Sequence, residues 1–195
     1  MGLFSKSVKK MQAEGDLDGL VNYIKSHPSF KGVDAVTEFG ARAVPGLLTV
    51  LSEGSPSVPA ALARIGQPSM AGLTAALSSG NPIVQRDAAA ALLAMAARGG
   101  HLDAAQVEAL AKIERESPYL ETAAVAIAAH VAYEERSLHI ANAEQNHKHP
   151  NLGNSAEVTS LAKYVASIGT LAFPSDPHAG SFMGGAILYC CRQNH

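Results

Sequence analysis

The sequence predicts an all-α protein: a right-handed α-solenoid of about four helical pairs over residues 1–133, then an atypical helical extension over 134–195 that packs on the solenoid or caps it. Three observations predict it. A helix-start signal recurs at intervals of 26 to 36 residues, a spacing that suits stacked helical repeats. A glycine-centred apolar stripe precedes the first three signals, and an alanine version precedes the last. The apolar residues, 47% of the chain, include few aromatics and no Trp, so the core must come from Leu, Val, Ile, Met and much Ala. Such side chains suit helices that approach closely.

The start signal is a capping residue, Pro, any residue, and an apolar residue. It reads His27-Pro28-Ser29-Phe30, Ser55-Pro56-Ser57-Val58, Asn81-Pro82-Ile83-Val84 and Ser117-Pro118-Tyr119-Leu120. Ser or Asn can cap free backbone N–H groups, and Pro at the first helical position supplies a preset φ without wasting a donor. Only His27 is a weak cap. The second helix of each pair, helix B, is therefore expected at 28–39, 56–65, 82–98 and from 118 past 133. The second of these should be about one turn short, because Pro59 limits it and Val58 precedes Leu62 by four residues, where Val84 precedes Leu92 by eight.

The stripe that precedes each signal reads Gly19-Leu20-Val21, Gly46-Leu47-Leu48 and Gly72-Leu73-Thr74, with apolar residues a turn away on both sides. A fourth copy carries Ala109-Leu110-Ala111. Apolar residues at i, i+3, i+4 and i+7 form one helical face. Helix A is therefore expected at 16–26, 42–52, 68–79 and 103–115. A mid-helix Gly costs about 1 kcal/mol relative to Ala, so its recurrence at one register predicts a crowded helix–helix contact. Asp103 with Gln106 forms a capping box, Leu102 can staple to Val107, and Gly99-Gly100 stops the preceding helix after Arg98.

The last third is less patterned. Helix B4 either runs long, as no Gly or Pro lies between 119 and 144, or breaks near Arg136 and restarts at Ser137. Loops are expected at 146–154 and 173–180. Asn154 with Glu157 offers a capping box for a helix at about 155–169, and an apolar helix follows at about 181–191.

Residues 61–96, "ALARIGQPSMAGLTAALSSGNPIVQRDAAAALLAMA", resemble HEAT-like repeats of the short type first noted in phycobilisome lyases, with an echo in "AVTEFGARAVPGLLTVL" at 35–51. The resemblance spans roughly 11–132 and implies the α-solenoid with helix B lining its concave side. It transfers no catalytic residue. HEAT-like deoxyhypusine hydroxylases hold iron on His-Glu dipeptides, and no His here is followed by Glu. HEAT-like alkylpurine glycosylases rely on a basic, aromatic concavity, which does not match a formal charge of −2 and no Trp.

That charge also argues against a nucleic-acid partner, which calls for a basic surplus. Lys6, Lys9 and Lys10 read as a solvated face. "MGLFSKSVKK" lacks a secretory h-region, and Lys6 stands where myristoylation needs Ser or Thr. No apolar run approaches the ~18–20 residues that span a bilayer. Two cysteines, Cys190 and Cys191, make no disulfide framework, so a cytoplasmic location is expected.

The expected function is protein binding, as a scaffold or adaptor, along the helix B surface. Its polar candidates are Asp34, Glu38, Arg64, Gln85, Arg86, Glu121 and Thr122. Arg86 and Asp87 could instead serve inter-repeat hydrogen bonds. No cofactor motif is present. A metal-binding protein or small enzyme is the alternative, built from His147, His149, His178, Cys190 and Cys191, which offer zinc-ligand chemistry without a C-x-x-C pair. Glu144 and His147 share the spacing of one di-iron ligand pair without a second such pair. His130 and Glu134 suit an i, i+4 contact. Self-association through the last helix is the remaining partner expectation.

Overall fold

A computed structural model describes residues 7–137 and 156–192, and their regular structure is all helical. The helices are α1 (Val8–Glu14), α2 (Leu17–Ser26), α3 (Phe30–Thr37), α4 (Val44–Thr49), α5 (Ser57–Ile65), α6 (Met70–Leu77), α7 (Pro82–Ala97), α8 (Ala104–Glu116), α9 (Leu120–Ser137), α10 (Ala156–Ala172) and α11 (Ala179–Arg192). Short 3₁₀ turns at Gly40–Ala43, Leu51–Glu53 and Gln67–Ser69 join some of them. Among the described residues, no helix is long and apolar enough to cross a membrane.

The packing has a simple order. Within pairs, α2 packs on α3, α4 on α5, α6 on α7 and α8 on α9. The first members also pack in series, α2 on α4, α4 on α6 and α6 on α8. The second members do the same, α3 on α5, α5 on α7 and α7 on α9. Two rows result.

The recurring glycines sit at junctions of the first row. A Cβ at Gly46 would lie 3.5 Å from Val21 Cγ2, and one at Gly72 would overlap Leu48. Val21 and Leu48 hold the same motif position, two after a glycine, so each meets the glycine of the next copy. Thr74 holds that position in the third copy and accepts a hydrogen bond from Gln106 Nε2 at 3.0 Å. Gly19 differs: it lies against its own N-cap, Asp16, whose carboxylate accepts from its N–H.

The proline motif works as expected once. Asn81 accepts from the N–H groups of Ile83 and Val84, with Pro82 first in α7. Elsewhere the cap differs. Ser29, not His27, caps the next helix by accepting from Gly32 N–H, so α3 starts two residues late. The Ser55 hydroxyl donates to Ile24 O at 2.6 Å, satisfying a carbonyl in the last turn of α2, so α5 starts without a side-chain cap. Ser117 accepts from Tyr119 N–H in a turn, and α9 begins at Leu120. At Asp103 and Gln106 the capping box forms in both directions.

Helix α5 is indeed short, with nine residues against sixteen in α7. Gly66, at φ +74°, ends it at Ile65, whereas α7 continues to the turn in which Gly99 adopts φ +82°. The shortfall is nearly two turns rather than one.

Helix α7 is enclosed. Every residue from Asp87 to Ala96 is buried, because α5, α6, α9, α10 and α11 all pack on it. A helix with neighbours on every side has no solvent stripe, and alanine lets several axes come close at no cost in helix propensity. The two C-terminal helices complete the enclosure. Helix α10 packs across α3, α5 and α7, and α11 packs on α7 and α9. They join each other through glycines: a Cβ at Gly169 would lie 2.8 Å from Ala179 O, and one at Gly180 2.9 Å from Ala166 O. The hairpin therefore covers much of the second row.

Enlarging a buried alanine of α7 is expected to be costly. Ala90→Leu should lower unfolding free energy by about 1–3 kcal/mol, whereas Ala75→Leu on the exposed side of α6 should change it little. Urea unfolding midpoints distinguish the two; equal midpoints would contradict the enclosure of α7.

Candidate functional site

The polar candidates lie along the second row and at its margins, and each has a partner within the chain. Asp34 of α3 pairs with Arg64 of α5. Glu38 accepts from the Gln12 side chain of α1. Gln85 Nε2 donates to Leu77 O at 3.1 Å, satisfying the C-terminal end of α6. Thr122 is buried, and its hydroxyl donates to Pro82 O at 3.1 Å, tying the starts of α9 and α7. Asp34, Glu38 and Glu121 remain exposed.

Arg86 has the densest surroundings. Its Nε donates to Asp87 Oδ1 at 2.8 Å, and Nη1 lies 3.6 Å from Glu121 Oε2. The guanidinium stacks on the Tyr164 ring of α10 at 4.6 Å from the centroid. The Tyr164 hydroxyl donates to the other Asp87 oxygen at 2.8 Å. Asp87 itself is fully buried. A carboxylate there would be costly unless both oxygens were satisfied, and Arg86 and Tyr164 satisfy one each.

The protonation states follow from this arrangement. Burial pushes the Asp87 carboxyl above the usual carboxylate range, against the opposing pull of Arg86 and Tyr164. Burial, with the Asp87 charge beside it, pushes the Tyr164 phenol well above its ordinary value, which keeps it a hydrogen-bond donor. Burial works against the Arg86 charge too, yet Asp87 and Tyr164 together outweigh it and hold it above its ordinary value. The triad is a polar latch between α7 and α10. A second clip lies at the other end of α7, where Arg98 stacks on Phe173 at 4.6 Å and reaches Asp176 at 3.8 Å.

Beside the latch the surface opens. A groove of about 410 Å³ runs between the first turns of α7, α9 and α10, and Arg86, Glu121 and Thr122 are among its walls. Its apolar wall contains Pro82, Ile83, Pro118 and Tyr119, with Glu157 on the α10 side. A second groove of about 270 Å³ lies across the Pro118-Tyr119 ridge, between the end of α6 and α8, and includes Gln85. Four of the seven candidates thus converge on this margin. Asp34, Arg64 and Glu38 line neither groove.

Tyr164, Ile83 and Tyr119 are not among those seven, and Asp87, expected only as a residue for inter-repeat hydrogen bonds, instead joins Arg86 to Tyr164 of α10. A signal for Ile83 and Tyr119 lies in the proline motif. Its variable position holds Ser29, Ser57, Ile83 and Tyr119 in order. The Ser57 hydroxyl accepts from Ser29 N–H at 3.2 Å, whereas Ile83 is 40% exposed and Tyr119 54%.

Of the metal candidates, His147 and His149 lie outside the described residues, as does Glu144. His178 is exposed in the loop before α11, and Cys191 is buried in α11 beside Cys190. Burial pushes the Cys191 thiol up to about 11. His130 lies 3.4 Å from Glu114 Oε2 of α8. Among the described residues, no group of three His, Cys, Asp or Glu side chains is placed to share a metal.

Tyr164→Phe leaves a buried carboxylate oxygen short of a donor and should lower unfolding free energy by about 1–3 kcal/mol. In a Cys190→Ser background, Cys191 alkylation reports docking of the hairpin. Burial holds the docked thiol up to about 11, so at pH 8 it is almost wholly protonated and covered, and reaction comes from the undocked form. Adding Tyr164→Phe should speed it at pH 8; an unchanged rate would mean that the triad does not hold the hairpin.

Searches of known families, curated proteins and solved structures find no match to this chain.

Proposed function

We propose that this chain is a protein-binding module, a HEAT-like right-handed α-solenoid of about four pairs that serves as a scaffold or adaptor. The serial packing of first helices on first and second on second carries this reading, because stacked pairs build an extended surface rather than a single deep pocket. The chain's own hairpin occupies part of the second row, so a partner meets that row at its margins. Asp34 and Glu38 offer contacts at one place along it, and Arg86, Glu121 and Thr122 at another. A cytoplasmic setting accords with the adjacent Cys190 and Cys191.

Charge reversals at three exposed points test the reading: Asp34→Lys, Glu38→Lys and Glu121→Lys, used one at a time. Arg86 is a poorer probe, since truncating it strands the buried Asp87 carboxylate. Partner capture from native extract should weaken about tenfold for at least one reversal, a loss of about 1.4 kcal/mol, while cooperative melting shows that each variant is still folded. Capture that survives all three reversals would place the binding surface elsewhere.

A further inference from the structure

We propose that the paired grooves flanking Tyr119 bind an extended basic peptide from a partner protein, with a Lys or Arg side chain lying on the Tyr119 ring and an aliphatic neighbour against Ile83. The inference rests on the protein-binding reading and specifies the chemistry of the partner. Its first support is the exposure of two large apolar side chains at one register. In the proline motif's variable position, Ser29 and Ser57 are joined by a hydrogen bond, but Ile83 and Tyr119 project at the groove. Pro82 and Pro118 give these two rigid flanks.

The second support is charge. Around the two grooves stand Glu116, Glu121 and Glu157, with Lys112 and Arg86 as cations. The Arg86 charge is matched by the fully buried Asp87, and its guanidinium face is occupied by Tyr164. Three carboxylates therefore line the grooves against Lys112 and an Arg86 whose charge Asp87 already balances, and the net local charge is negative. The C-terminal ends of α6 and α8, at Leu77 and Glu116 in the smaller groove, add carbonyl dipoles in the same sense. The N-termini of α7, α9 and α10 at the larger groove oppose it and are offset there by Glu121 and Glu157 in the first turns of α9 and α10. An acidic segment would be repelled. A basic one gains attraction from Glu116 and the helix C-terminal ends of the smaller groove, from Glu157 in the larger one, and from a cation–π contact on an aromatic that is 54% exposed. The ridge between the grooves favours a strand-like segment that places alternate side chains on either side of Tyr119.

Methyl-labelled full-length protein can be titrated with two capped tetrapeptides, Leu-Lys-Ile-Arg and Leu-Glu-Ile-Asp. The basic peptide is expected to shift the Ile83 and Thr122 methyl signals saturably, with affinity that falls as salt rises. The acidic peptide should shift neither. Glu121→Gln with Glu157→Gln should weaken the basic peptide about tenfold, and Tyr119→Ala about fivefold, both with unchanged melting. Equal response to both peptides, no saturable shift, or shifts centred away from Ile83 and Thr122 would overturn the proposal. Partner capture sensitive to Asp34→Lys, together with a silent peptide titration, would keep the row as a binding face and reject the groove alone.

Discussion

The enclosure of α7 is the constraint on which the rest of the structure depends. Five helices pack on it, and its ten consecutive buried residues include one ionisable group, Asp87. Close approach from all sides requires small side chains, which explains the run of alanines. Burial of Asp87 then requires polar partners near the start of the helix, which Arg86 and Tyr164 supply. One enclosed helix thus dictates both the composition of its own segment and the position of a tyrosine in α10.

The same enclosure decides what surface is left. The α10–α11 hairpin lies over the second row, fastened near one end of α7 by Asp87 and Arg86 and at the other by Arg98. These points are twelve residues apart, about 18 Å along a helix. Open grooves remain where the hairpin gives way to the first turns of α7 and α9, and there the chain exposes Ile83 and Tyr119. The intramolecular occupant and the proposed external one are therefore neighbours, with Arg86 facing both.

Features that depend on residues a few positions apart were legible in the sequence. The Asn81 cap and the Asp103–Gln106 box form as expected, because both partners lie within one turn. The same reading fails at Ser55, whose hydroxyl is drawn to Ile24 O, 31 residues away. Tyr164 and Asp87 are 77 residues apart, and no local pattern links them. The polarity of helix B pointed to Glu121 at the groove, but it carried no sign that the Thr122 hydroxyl is committed to Pro82 O, 40 residues back. Nor did it mark the groove's apolar side chains, since a large exposed apolar residue resembles a core residue until its neighbours are known. The helical pattern was readable from local chemistry, while the candidate site depends on long-range packing.

The hairpin's position has a consequence for synthesis. Helices α3 to α9 leave the ribosome before the segment that covers them, and 55 residues separate the end of α9 from the end of α11. At roughly 5–20 residues per second, that delay is about 3 to 11 s. Asp87 lacks its tyrosine donor until Tyr164 follows, 27 residues after the end of α9, and the nascent second row presents uncovered apolar surface until both helices dock. The second row is thus exposed to wrong association until α10 and α11 have emerged, and their docking ends that interval.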